Sequence, residues 1–105
     1  WCEELNLRMC FDISHSRLTC SYFDIDFYDF SKKVAKYSAH LHLGDALGFN
    51  GEGLQIGEGE INFLKLAKIF NEFCPDASFI PEIWQGHKNG GEGFWVALEK
   101  LDSIF

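Results

Sequence analysis

Three short apolar runs in this chain each end on a polar, ligand-type side chain. Leu7-Arg8-Met9-Cys10-Phe11 runs into Asp12, Ser38-Ala39-His40-Leu41 into His42, and Ser78-Phe79-Ile80-Pro81 into Glu82. Stretches with helical periodicity separate them. Strands alternating with helices imply parallel pairing and right-handed crossovers, which is the α/β class. In a parallel sheet or barrel of that class the strand C-termini lie on one common face, where the chemistry is placed. Asp, His and Glu converging there have the donor chemistry of a divalent-metal site.

The strand-then-helix unit recurs three times. The first strand is expected from Leu7 to Asp12, and Asp24 or Asp26 is an N-cap candidate for a helix over Phe27 to Tyr37. That helix has Phe27, Phe30, Val34 and Tyr37 at helical spacing. The second strand is expected over Ala39 to Leu43, followed by a Gly-rich loop from Gly44 to Glu60. The second helix runs from Asn62 to Phe73, with Phe63, Leu66, Ala67, Phe70 and Phe73 on one face. Pro75-Asp76 breaks it. A third strand over Ala77 to Ile83 leads into a second Gly-rich loop, Gln85 to Gly93, and a helix over Phe94 to Ile104.

With 105 residues, 47% hydrophobic and 16% aromatic, residues 1–105 suit one compact unit with a real core. Three units are less than half of an eight-stranded barrel of about 250 residues. A free three-stranded parallel sheet exposes edges and an apolar face. The chain is therefore expected to be a piece of a longer protein that pairs with a missing upstream barrel segment, or to self-associate. Its first residues, Trp1-Cys2-Glu3-Glu4, carry no secretory signal and no initiator Met. No apolar run approaches the roughly 20 residues of a membrane span, so no membrane partner is expected. The net charge of −7 disfavours binding to a phosphate backbone, so no nucleic-acid partner is expected either. Cys2, Cys10, Cys20 and Cys74 form no C-x-x-C pair. They read as reduced thiols of a cytoplasmic protein used as small apolar groups, Cys10 in a buried strand and Cys74 at a helix end.

Each candidate residue has a chemical reason. Asp12 at a strand end is costly to bury without a partner, which a metal, an Arg or a helix N-terminus can supply. His15 follows three residues later. His40 and His42 alternate with Leu41, so they point to one side of the strand. A neutral imidazole at the strand end is a natural ligand once its second nitrogen is fixed, and Asp45 is a candidate partner for it. Glu82 can act as ligand, as general base or in a surface ion pair. Gln85, His87 and Lys88 lie in the following loop, where they can meet a polar substrate or only solvent. The stretch Gly51-Glu52-Gly53-Leu54-Gln55-Ile56-Gly57-Glu58-Gly59 lacks the G-K-[ST] of a phosphate loop, and its glutamates would repel phosphate. It reads as a turn-rich lid or wall. Phe94-Trp95 reads as core or interface.

Taken together, three segments resemble the xylose-isomerase-like TIM barrels, a superfamily that also holds metal-dependent apurinic endonucleases. They are Cys10-Phe11-Asp12-Ile13-Ser14-His15, then His42-Leu43-Gly44-Asp45 with Gly57-Glu58-Gly59, then Ile80-Pro81-Glu82. Their order and spacing resemble the last three strands of that barrel. The resemblance implies that Asp12, His42 and Glu82 bind one divalent ion (Mn, Zn, Co or Mg). It also implies that Glu82 is half of an acid/base couple whose other Glu comes from a strand upstream of Trp1. His15 matches a position that binds substrate in the epimerases and metal in the endonucleases. The endonucleases carry Asp-x-His shortly before Gly-Glu-Gly. Here that stretch reads Gly51-Glu52-Gly53, which argues against DNA repair. The segments His40 to Gly48 and Pro81 to Lys88 resemble a narrower subgroup, barrel domains appended to sialic-acid-synthase-like proteins.

The expectation is the C-terminal portion of a TIM barrel built from parallel (β/α) units. It belongs to a sugar or sugar-phosphate isomerase/epimerase of bacterial sialic-acid-type sugar biosynthesis. Metal ligands are Asp12, His42 and Glu82. Glu82 and His15 are catalytic, and His15, Gln85, His87 and Lys88 contact substrate. Asp45 supports His42. The 105 residues alone are expected to be inactive, and a non-catalytic half-barrel or a phosphoesterase are the alternatives.

Overall fold

A computed structural model describes residue 5, residues 7–48 and residues 50–105. Cys2 and the sequence reading of residues 1–4 lie outside the described residues. The chain forms a strand β1 (Met9–Asp12), helices α1 (Ile13–Tyr22) and α2 (Phe27–Ala35), and strand β2 (Ser38–Leu43). Two short strands follow, β3 (Asp45–Leu47) and β4 (Gly51–Leu54), then helix α3 (Phe63–Phe73), strand β5 (Ser78–Pro81) and helix α4 (Lys88–Ile104).

The parallel α/β reading holds. Strands β1, β2 and β5 form a three-stranded sheet in the order β1-β2-β5, parallel at both pairings. Strands β3 and β4 pair antiparallel as a separate ribbon. In the main sheet Phe11 lies beside Leu41 and Leu41 beside Phe79, while Asp12 lies beside His42 and His42 beside Ile80. Because side chains alternate along a strand, these two rows point to opposite faces. The first row, with Leu43, faces the helices. Phe11, Leu41 and Leu43 are buried against Phe63, Leu66, Phe70, Ala97 and Leu101. The Phe11 ring meets Phe30 and Phe70 edge-on at 6.0 and 6.3 Å, an arrangement that suits the ring quadrupole.

The second row is open. Cys10 is exposed and Ile80 is 46% exposed, because no described helix covers that face. This corrects the expectation of a buried Cys10. It shares the open face with Asp12 and His42. Cys20 and Cys74 are buried as expected, and Cys10, Cys20 and Cys74 are all free thiols.

The helices expected near Phe27, Asn62 and Phe94 are present. Asp26 is the N-cap of α2, its carboxylate accepting from the N–H groups of Tyr28 and Asp29, and Asn62 is the N-cap of α3, its side-chain oxygen accepting from the Lys65 N–H. The α4 segment starts irregularly. Asn89, Gly90 and Gly91 all have left-handed backbone, so regular helix begins only after Gly91.

Two elements escape the periodicity. Helix α1 follows β1 directly and has Asp12 as its N-cap. Its sequence, Ile13-Ser14-His15-Ser16-Arg17-Leu18-Thr19-Cys20-Ser21-Tyr22, has no continuous apolar stripe and buries only Ile13, Ser14 and Cys20. The expected loop from Gly44 to Glu60 contains the β3–β4 hairpin, which packs on α1. The Gly53 N–H donates to Ser14 Oγ at 2.8 Å, and the Trp84 N–H donates to the Gly53 carbonyl at 2.7 Å. The hairpin is thereby fastened to both the first and the last (β/α) unit. No helix among the described residues is long and apolar enough to cross a membrane.

Candidate metal centre

The parallel register places the three expected ligands side by side. Asp12 closes β1 and His42 stands next to it on β2. Glu82 follows β5 directly, and its N–H donates to the Leu43 carbonyl at 2.8 Å, extending the β2–β5 ladder by one bond. Glu82 points to the same side as Ile80, two residues before it, and so to the side of His42. His42 Nδ1 is 3.0 Å from Glu82 Oε2 and 3.9 Å from Asp12 Oδ2. One ligand atom from each of Asp12, His42 and Glu82 lies within 4.8 Å of the others.

The electrostatics of this group are unbalanced without a cation. Burial works to raise the Asp12 carboxyl, but bonds from the His15 N–H and the His15 ring outweigh it and hold Asp12 below its ordinary range. Glu82 moves the other way. Burial and the adjacent Asp12 carboxylate push it up, against the attraction of His42. Two carboxylates this close cannot both carry full charge cheaply, so the pair must take up either a proton or a cation. The Cys10 thiol on the same face is raised by burial and by the same carboxylates, and is not an activated nucleophile. An imidazole and two carboxylates suit Zn, Mn or Co, and Mg to a lesser degree. The donor set therefore fits a divalent ion. Three protein ligands also leave coordination positions for substrate oxygens.

His15 sits at the rim, 60% exposed. Its Nδ1 lies 3.0 Å from Asp12 Oδ2, and its Nε2 lies 2.6 Å from Glu52 Oε2. Both ring nitrogens are thus engaged by carboxylates. The Asp12 hydrogen bonds, ahead of the Glu52 charge, push its pKa up. Glu52, on β4, was not singled out as a site residue by sequence. Its only signal was a carboxylate between two glycines in the segment read as a wall.

Asp45 does not support His42. It is fully buried, and all its carboxylate bonds go to the main chain. Oδ1 accepts from Ala46 and Ile61, and Oδ2 accepts from Gly57 and Gly59, at 2.8 to 3.0 Å. Asp45 is the knot of the loop after β2. The His42 ring instead meets His40 edge-on at 5.1 Å, and His40 Nδ1 is 2.8 Å from Ser78 Oγ.

The expected substrate residues divide. A cavity of about 160 Å³ beside the ligands is lined by Asp12, His15, Glu52, Glu82 and Trp84. Gln85 and Lys88 line a separate cavity of about 460 Å³, which shares only Gly53, Ile83 and Trp84 with the first. His87 is exposed at the start of α4 and lines neither.

No protein-family model matches the chain. It is 30% identical over 74 residues to an uncharacterized protein of Methanocaldococcus jannaschii. The match covers 70% of this chain, which spans about a quarter of the length of that relative (25%).

Proposed function

We propose that the chain is the C-terminal portion of a xylose-isomerase-like (β/α) barrel. In this reading it contributes a divalent-metal site to a sugar or sugar-phosphate isomerase/epimerase of sialic-acid-type sugar biosynthesis in the cytoplasm. The observation that carries the reading is the convergence of Asp12, His42 and Glu82 at the C-terminal ends of neighbouring parallel strands. Three further facts support it. Among the described residues, helices cover one sheet face only, as around a barrel. Both edge strands lack a further strand among the described residues. The archaeal relative, of which 74 residues are 25%, is about 300 residues long, room enough for an eight-stranded barrel.

Asp12, His42 and Glu82 would hold the ion. An ion held there would supply Lewis-acid polarisation of a substrate carbonyl and its neighbouring hydroxyl. In this reading Glu82, which follows β5 directly and lines the cavity beside the ligands, is also the carboxylate that moves a proton. Asp12 stays ionised under the His15 bonds and holds charge. Trp84, 74% exposed, stands between the two cavities and offers a flat face to a sugar ring. The second base of an isomerase belongs to an upstream strand, so the 105 residues alone are expected to be inactive.

The test uses the longest natural chain containing this segment. It is incubated with a panel of aldoses, ketoses and their phosphates in D₂O with Mn²⁺. Deuterium should enter at the carbon beside the carbonyl, and Glu82→Gln should abolish it. Equal incorporation by Glu82→Gln would refute the role of Glu82. Cleavage of an abasic-site duplex, with no exchange on any sugar, would replace the reading with a phosphoesterase.

A further inference from the structure

Glu52 is not a member of the ligand set, yet it touches it through one intermediate. Its Oε2 lies 2.6 Å from His15 Nε2, and the other nitrogen of that ring lies 3.0 Å from Asp12 Oδ2. The second oxygen of Asp12 accepts the His15 main-chain N–H at 3.0 Å. One residue, His15, therefore fixes both oxygens of Asp12. A ring gripped at both ends by carboxylates through charge-assisted bonds does not turn freely. Glu52 itself is set by its neighbour Gly53, whose N–H donates to Ser14 and whose carbonyl accepts from Trp84.

We propose that Glu52 is a positioning residue of the metal centre. Acting through His15, it orients Asp12 and latches the β3–β4 hairpin over the ligands. This role rests on the divalent-metal reading above. His15 is then a strut rather than a free base. The His15 and Glu52 side chains are 60% and 56% exposed, and exposed pairs contribute little to folding. The latch should therefore show in metal affinity and not in stability. Partners that orient metal ligands typically change affinity by about 10- to 100-fold.

The experiment is a double-mutant cycle on Co²⁺ affinity of the chain, followed by its visible absorption. The proteins are wild type, Glu52→Gln, His15→Ala and the double variant, with His15→Gln as a second replacement at that position. Circular dichroism melting should be the same for all. Glu52→Gln should weaken Co²⁺ by about 10-fold and change the absorption band. In the His15→Ala or His15→Gln background, Glu52→Gln should have no further effect. An undiminished effect in those backgrounds would mean that Glu52 acts directly on the cation, by charge or as a ligand, and would overturn the proposal. So would wild-type affinity in Glu52→Gln. A wild-type chain that binds no Co²⁺ would instead remove the metal reading itself, and the latch with it.

Discussion

His42 Nδ1 lies 3.0 Å from Glu82 Oε2, although the two residues are 40 positions apart in the chain. The contact exists because β2 and β5 pair in parallel and in register, His42 beside Ile80. One more residue pair places Asp12 beside His42 on the other side. The candidate centre is thus a property of the sheet, and its responses follow from strand geometry and from the charges that strand geometry brings together.

The first expected response is to pH. Metal binding needs deprotonated carboxylates. Burial and the Asp12 carboxylate raise Glu82, so Glu82 takes up a proton at higher pH than an ordinary glutamate. Affinity for Co²⁺ should therefore decline as pH falls, beginning above the usual glutamate value of about 4.3. Asp12, held low by its His15 bonds, should contribute only at still lower pH. Titrating Co²⁺ at a series of pH values checks this. Glu82→Gln should bind more weakly throughout and lose the part of the decline that comes from Glu82, leaving the part that comes from protonating the His42 ligand.

Asp45 should matter for folding and not as a ligand. Replacing it with Ala removes the acceptor of four N–H groups, two buried (Ala46 and Ile61) and two part-buried (Gly57 and Gly59). A loss on the order of 3 kcal/mol or more is expected, since each buried unsatisfied group costs about 1–3 kcal/mol. Asp45→Asn keeps one acceptor oxygen but turns an NH₂ toward two N–H groups, and should fall between. Urea unfolding measures both.

Gly44 tests the backbone path to Glu82. A Cβ at this position would lie 2.6 Å from the Glu82 carbonyl oxygen and 3.6 Å from the Gly53 Cα. The obstruction is main chain, so the end of β5 must move. Gly44→Ala should weaken Co²⁺ binding although it alters no ligand side chain, with about 1–3 kcal/mol lost from stability as for other overpacked sites. Unchanged affinity would mean that Glu82 tolerates the shift.

Asp26 gives a pH response unconnected with the centre. The Asp29 N–H, with that of Tyr28, holds its carboxyl below the ordinary range. A lowered pKa in the folded state adds stability that is present above the unfolded value of about 3.9 and is lost as pH falls through the folded one. Asp26→Asn retains a capping oxygen and should remove this pH dependence. Asp26→Ala should lower the melting temperature at neutral pH.

The strand ends were legible because each apolar run stops at a charged or imidazole side chain, and parallel strands put those stops on one face. Helices α2 and α3 were legible because Phe27 and Phe63 begin clear apolar stripes, the first behind the capping candidate Asp26; the Asn62 cap of α3 is seen only in the fold. Helix α1 was not, because it is rich in Ser and Thr and its burial depends on neighbours rather than on an apolar face. The β3–β4 hairpin was hidden by glycines, which carry no side-chain period. Asp45 was read toward His42 because sequence proximity says nothing of direction, whereas its carboxylate turns into the loop. Glu52 joins the site only through hairpin folding, which local pattern could not supply.

Elemental analysis of the purified chain beside its Asp12→Ala and His42→Ala variants tests the central claim most directly. The wild-type chain is expected to hold about one equivalent of Mn, Zn, Co or Mg, and both variants are expected to lose it. Wild-type protein free of metal after incubation with each ion, or an unchanged stoichiometry in His42→Ala, would contradict the assignment.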